Sequence, residues 1–153
     1  MTIDNKERYK LRTYTVDFLS DQRENPQVND LPEAVEVAQA IFKTLDADKE
    51  HSVVMALDSP GRVIGFKVVA TGLVNTVPVH PREIFRAALF LNAVRIVMVH
   101  NHPSGDPTPS DNDLRGTLEM AEAGRLLGVQ VVDHIVLTAS GKYHSMAAGG
   151  ATL

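Results

Sequence analysis

Residues 95–113 read RIVMVHNHPSGDPTPSDND. RIVMVH is a short run of apolar β-formers, the pattern of a strand covered on both faces. His100 and His102 stand two apart at its end. Alternate residues of an extended chain point to the same side, so both imidazoles can reach one point. PSGDPTP follows, with proline fixing φ and glycine permitting unusual φ, and suits a tight return of the chain. SDNDLRGTLEMAEAGRLLG then predicts a helix with Ser110 at its start, Asp113 in its first turn and Gly128 as its C-terminal stop. Leu114, Leu118 and Ala121 are expected to line its inner face.

Two readings of this strand, turn and helix coexist. In one, His100, His102 and Asp113 hold a metal ion. Two imidazoles and one carboxylate suit Zn²⁺, which takes three protein ligands in a catalytic site; Fe²⁺ uses the same set, so the ligands alone do not name the metal. In the other, Ser110 and Asp113 are a helix cap worth about 1 kcal/mol, and Asn101 with Pro103-Ser104-Gly105 is a turn. The readings are compatible, since a capping serine can also aim its hydroxyl at a site. The carboxyl edge of an α/β sheet is moreover where ligands tend to bind.

Outward from this stretch, strands and helices alternate. LPEAVEVAQAIFKTLDAD predicts a helix over about 31–46, with Pro32 near its start and Val35, Ala38, Phe42 and Leu45 at helical spacing. Ser52–Leu57 and Arg62–Ala70 read as two strands around a turn at Ser59-Pro60-Gly61. VHPREIFRAALFLNA predicts a second helix, with Pro81 and Glu83 in its first turn and Ile84, Ala87, Ala88 and Leu91 on one face. VQVVDHIVLT and a short segment around KYHSM are the last strands. Residues 1–30 form an N-terminal extension, in which YKLRTYTVDF is a candidate strand and DQRENPQVND a polar linker. The remainder, 31–153, is expected to be one α/β layered domain with helices flanking a sheet.

Composition narrows the chemistry. The chain has 153 residues, 44% of them hydrophobic, enough for one domain that buries roughly two-thirds of its extended surface. It contains no cysteine, which excludes disulfides, thiolate metal sites and cysteine nucleophiles. The formal net charge of −4 disfavours extensive contact with nucleic-acid phosphates. The polar start MTIDNKERYK and the absence of any apolar run of about 18 residues give the expectation of a cytoplasmic protein without membrane contact. There is no G-x-S-x-G elbow to support a serine nucleophile.

The string from His100 to Asp113 matches H-x-H, seven residues, S-x-x-D. That pattern resembles the JAMM (MPN⁺ or JAB) metalloprotease family. Together with EAGRLLGVQVVDHIVL, the stretch VHPREIFRAALFLNAVRIVMVHNHPSGDPTPSDND resembles the RadC-like branch, over about residues 50–146. The resemblance implies an α/β/α layered domain with a mixed central sheet, of the cytidine-deaminase-like kind. It implies Zn²⁺ as cofactor, with His100, His102 and Asp113 matching the ligands. Ser110 matches the serine that helps stabilise the tetrahedral intermediate. Glu50, just before the strand that ends Leu57-Asp58, matches the general base. Glu83 is the rival carboxylate, and its place in a helix's first turn explains it without catalysis.

The implied function is hydrolysis of a peptide or isopeptide bond in a peptide or protein-conjugate substrate. Other classes compete: an accessory role in DNA repair, which the RadC-like label suggests, or a metal-stabilised interaction module. Longer members carry a helix-hairpin-helix-like N-terminal region, for which residues 1–30 are too short, so DNA binding by this chain is not the expectation. The remaining histidines receive lesser roles. Asp133 and His134 point to opposite faces of a strand, and one of them is expected to support the metal site from behind. His51 is expected to point away from Glu50, His80 to cap a helix, and His144 to be exposed. Ser104 and Asp106 are candidates for lining a substrate cleft, although turn formation explains them already.

Overall fold

The computed structural model describes residues 25–72 and 79–153. The candidate strand at YKLRTYTVDF lies outside the described residues. Among them the chain runs α1 (Leu31–Phe42), β1 (Glu50–Leu57), β2 (Val63–Gly72), α2 (Pro81–Phe90), β3 (Arg95–Asn101), α3 (Asp111–Leu127), β4 (Gln130–Leu137) and β5 (Tyr143–Ser145). The five strands form one sheet in the order β2-β1-β3-β4-β5. β3 and β4 run parallel, and every other neighbouring pair is antiparallel. The expected mixed sheet in an α/β/α arrangement is therefore present.

Alternation along the strands assigns the two faces. Val53, Met55, Leu57, Val97, Val99, Ile135 and Leu137 pack with Ala34, Val35, Ala38 and Ile41 of α1. Val54, Ala56, Ile96, Met98 and Val131 pack with Ile84, Phe85 and Ala88 of α2 and Met120 of α3. Val53 to Leu57 of β1 are each at most 1% exposed, as a strand covered on both faces requires. Fully burying a side chain such as Phe85 or Ile96 contributes about 1.5–3 kcal/mol.

Several boundaries and faces differ from the sequence reading. α1 stops at Phe42 rather than 46. Thr44 and Leu45 donate to carbonyls three residues back, and Asp46 accepts from the amide of Asp48, which turns the chain. β1 begins at Glu50, two residues before Ser52, because Glu50 and His51 pair with Gly72 and Thr71. The β1–β2 turn is held by Asp58, whose carboxylate takes the amide and the guanidinium of Arg62 at 2.7 and 2.8 Å.

The largest correction concerns α3. Its buried residues are Thr117, Met120, Ala121 and Gly124, while Leu114 and Leu118 are 39% and 49% exposed. The close approach occurs at Gly124, where a Cβ would stand 2.4 Å from the Val129 carbonyl oxygen and 3.2 Å from the Phe85 ring. That contact, together with Thr117, rotates the helix away from its leucines. On α2, Ile84, Phe85 and Ala88 are buried, and Ala87 and Leu91 are only partly so.

Ile96 pairs with Val131, but Val97 pairs with Asp133, so β4 carries one extra residue, Val132, at this point. After this bulge Met98 lies beside His134 and His100 beside Val136.

Candidate metal centre

β3 ends in the middle of the sheet, and its last residues carry His100 and His102 toward the face covered by α2 and α3. Gly105, at φ 84°, and the prolines around it return the chain to Ser110, where α3 begins. His100 Nε2 lies 3.0 Å from His102 Nε2. The Asp113 carboxylate closes the group, at 3.5 Å from His100 Nε2 and 3.7 Å from His102 Nε2. Among the described residues these three side chains form the one cluster able to hold a metal ion. Two ligands at about 2.0–2.1 Å on a tetrahedral ion stand about 3.3 Å apart. The observed separations bracket that value, so this donor set fits Zn²⁺.

Hydrogen bonds fix the donor atoms. His102 Nδ1 lies 2.8 Å from the Asp106 carbonyl oxygen, which can only accept. Nδ1 therefore carries the proton, and the lone pair of Nε2 faces the cluster. His100 Nδ1 lies 2.7 Å from His134 Nε2, and His134 Nδ1 lies 2.6 Å from Thr117 Oγ1. His134 thus stands behind His100, as expected of one member of the Asp-His pair. Asp133 faces the other way and accepts from Ser145 Oγ at 2.6 Å and the Ala147 amide at 3.0 Å.

Ser110 and Asp113 form a capping box, in which Asp113 N donates to Ser110 Oγ and Ser110 N donates back to Asp113 Oδ2. The Ser110 hydroxyl also donates to Oδ2, at 2.7 Å. The cap and the cluster are thus built from the same atoms. Half-burial of Asp113 pushes its pKa up, but the His100 and His102 rings beside it and the Ser110 hydroxyl outweigh it and hold the carboxyl well below the usual carboxylate range. His102 is raised above the ordinary histidine value, chiefly by its contact with Asp113. His134 is lowered to about 3, chiefly by burial and then by the neighbouring His100 ring.

Glu50 opens β1, the strand antiparallel to β3, in which Ser52 lies opposite His100. Two residues before Ser52, Glu50 belongs to the face that carries His100 and His102. It is half-buried, and its charge contributes to raising His102. The segment around it is tied by Asn101, the residue between the two histidines. Asn101 Oδ1 accepts from the His51 amide at 2.7 Å, and Nδ2 donates to the Lys49 carbonyl at 2.8 Å. One buried side chain thus holds the backbone on both sides of Glu50. Sequence reading had placed Asn101 in a turn; its position opposite a strand 50 residues away gave no local signal.

Glu83 is elsewhere, paired with Arg86 at 2.8 Å at the start of α2. His51 is buried on the other face, with Nε2 2.8 Å from the Asp46 carbonyl and Nδ1 2.9 Å from Thr71 Oγ1. His80 caps α2, accepting from the Arg82 amide. His144 is half-buried rather than exposed, because the Gly149 backbone packs against its ring. Asp106 holds its own turn by accepting from the Thr108 amide and hydroxyl. A cleft of about 380 Å³ opens beside His102, with Phe42, Lys43, Leu137 and Ser140 among its walls. A second cleft, about 420 Å³, lies between α1 and β2, away from the cluster.

Residues 29–151 match the family described as RadC-like JAB domain. The chain is 40% identical to a UPF0758 protein of Caldanaerobacter subterraneus subsp. tengcongensis over 120 residues, 78% of this chain and 51% of that one. It is 41% identical to a UPF0758 protein of Methanosarcina barkeri over 104 residues, 68% of this chain and 45% of that one. A UPF0758 protein of Staphylococcus haemolyticus is 43% identical over 108 residues, 71% and 47% of the two chains. The chain thus spans about half the length of the curated relatives it matches. No helix among the described residues is long and apolar enough to cross a membrane.

Proposed function

The chain belongs to the RadC-like JAB domain family, and on that premise we propose that it is a zinc-dependent hydrolase of a peptide or isopeptide bond. The observation that carries this reading is the convergence of His100 Nε2, His102 Nε2 and the Asp113 carboxylate within 4.8 Å of one another. Both rings are hydrogen-bonded from behind through Nδ1, which leaves each Nε2 turned to the same point.

In this reading His100, His102 and Asp113 hold the ion. A zinc ion held there would supply a Lewis acid and lower the pKa of a bound water toward neutrality. Glu50 accepts the proton of the attacking water on its carboxylate and passes it to the leaving amine. Its place on the same sheet face supports that role. Ser110 Oγ turns its proton from Asp113 Oδ2 to the oxyanion, while the Ser110 amide keeps its hold on Oδ2. The cleft beside His102 lies on the α1 side of the sheet, lined by His51 and Asn101, and reaches the cluster only at His102.

Metal analysis of the wild-type protein and His102→Ala under zinc-replete conditions tests the reading. About one zinc per wild-type chain is expected, and none tightly held by the variant. A wild-type chain that takes up no stoichiometric zinc overturns it. A peptide panel with Glu50→Gln as control then separates an enzyme from a metal-stabilised interaction module. Cleavage by the wild type and not by the variant is expected; equal cleavage by both removes Glu50 as the base.

A further inference from the structure

We infer that Thr117 and His134 are positioning residues that set which nitrogen of His100 carries the proton, and so keep His100 Nε2 open toward the metal centre. The purpose assigned to them rests on the zinc reading above, but the hydrogen-bond chain itself does not.

The chain starts at a group with fixed polarity. Thr117 Oγ1 lies 2.6 Å from the carbonyl oxygen of Asp113, one helical turn back, and 3.2 Å from Met146 Sδ. Neither partner can donate to it, so the hydroxyl proton is committed to one of them. A serine or threonine bonded to the carbonyl four residues back is an ordinary helical arrangement. With its proton committed, Thr117 Oγ1 can offer only a lone pair to His134 Nδ1 at 2.6 Å. The opposite polarity would bring two oxygen lone pairs together at 2.6 Å in a fully buried place.

The polarity then propagates. His134 Nδ1 holds the proton, so His134 Nε2 is the acceptor of the neutral ring. It faces His100 Nδ1 at 2.7 Å, which must therefore be the donor. His100 Nε2 is left with its lone pair, 3.0 Å from His102 Nε2. The two histidines of the cluster thus reach the same tautomer by different routes. His102 is set directly by the Asp106 carbonyl, and His100 through two side chains. The longer route ends on the backbone of Asp113, whose carboxylate is the third member of the cluster. Thr117 is 0% exposed and His134 6%, so water does not substitute for either partner.

Ring-nitrogen NMR of the full, metal-free chain reads the tautomers directly, and zinc affinity is measured in parallel. The wild type is expected to show His100 and His134 both as Nδ1–H. Thr117→Val keeps the shape and removes the oxygen. It is expected to shift the His100 ring nitrogens toward the Nε2–H form and to weaken zinc binding about 10–100-fold. Thr117→Ser is expected to restore both. His134→Gln retains an acceptor for His100 Nδ1–H and is expected to keep the His100 tautomer, whereas His134→Leu is expected to lose it. A wild-type His100 in the Nε2–H form overturns the inference, as do unchanged nitrogen shifts and affinity in both Thr117→Val and His134→Leu. If the tautomers are as described and the wild type still binds no zinc, the zinc reading fails while the relay stands.

Discussion

Ser110 and Asp113 hold each other through three hydrogen bonds: two from the serine amide and hydroxyl to Asp113 Oδ2, and one from the Asp113 amide to Ser110 Oγ. A helix cap normally ends its work at the helix. Here it also fixes the carboxylate that stands 3.5 Å from His100 Nε2. Stability and site geometry therefore share one interaction.

Ser110→Ala should lower stability by about 1 kcal/mol, the usual cost of losing such a cap. If the hydroxyl also serves the oxyanion, hydrolysis should fall by about 10²–10³ in kcat. Ser110→Thr keeps cap and hydroxyl and should lose little of either. Chemical denaturation and peptide hydrolysis check the pair. A stable Ser110→Ala protein with full activity would remove Ser110 from both roles.

Asn101 separates the base from the metal. Asn101→Ala leaves the Lys49 carbonyl and the His51 amide without their buried partner, at about 1–3 kcal/mol. Asn101→Asp should cost more, since it places a carboxylate oxygen against the Lys49 carbonyl. Zinc affinity should change little in Asn101→Ala, because the side chain points away from the cluster, whereas hydrolysis should drop as Glu50 loses its support. Parallel loss of zinc would show that Asn101 acts on the histidines instead.

Gly124 reverses a familiar rule. Alanine usually stabilises a helix interior by about 0.5–1 kcal/mol over glycine. At Gly124 the new Cβ would meet the Val129 carbonyl oxygen at 2.4 Å, a backbone atom that cannot swing aside. Gly124→Ala should therefore destabilise, by about 1–3 kcal/mol. Gly116, with open space around its Cβ position, should show the ordinary gain. Urea denaturation of the two variants settles the signs.

The metal-free protein should have an acid limb of stability that depends on His134. Burial lowers its pKa to about 3 in the folded chain, against an ordinary value of about 6.5 when unfolded. Between these values the unfolded chain takes up a proton that the folded chain refuses, so this stability is present above 6.5 and lost as pH falls. His102 works in the opposite sense. Its raised pKa contributes stability below about 6.5 that is lost as pH rises through the folded value. His134→Gln should flatten the curve between pH 6.5 and 3 and leave the alkaline limb alone. Identical acid slopes in the two chelator-treated proteins would contradict the burial argument.

What the sequence makes legible is local. His100 and His102 share a side because a strand alternates. Ser110 and Asp113 announce a helix start, and the prolines and glycine between them announce a return. Those features make a convergence of the three side chains possible beside a plain helix cap, and the family resemblance selects the convergence that the structure displays. The inner face of α3 was misread because hydrophobicity alone selects Leu114 and Leu118, whereas the face is set by a close approach at Gly124 and by a hydroxyl needed at Thr117. Asn101 and the route from Thr117 to His100 are contacts between elements 17 to 50 residues apart. No periodicity within one element encodes them. Glu50 became a candidate through family resemblance, since nothing in DADKE distinguishes it from a solvated charge.

The extra residue in β4 has a consequence for how relatives of this chain should be compared. Asp133 and His134 are adjacent, and the bulge at Val132 decides which of them lies on the His100 side of the sheet. A strand that kept Val132 but ran without the bulge would pair Val132 with Val97 and Asp133 with Met98, which turns the Asp-His pair over and puts an anion behind His100 where a neutral ring stands now. A chain that lost Val132 would instead pair Val131 with Ile96 and Asp133 with Val97 without interruption, and His134 would keep its place. A one-residue gap between relatives at this point therefore leaves the back of the centre unchanged, whereas loss of the bulge at constant length inverts it.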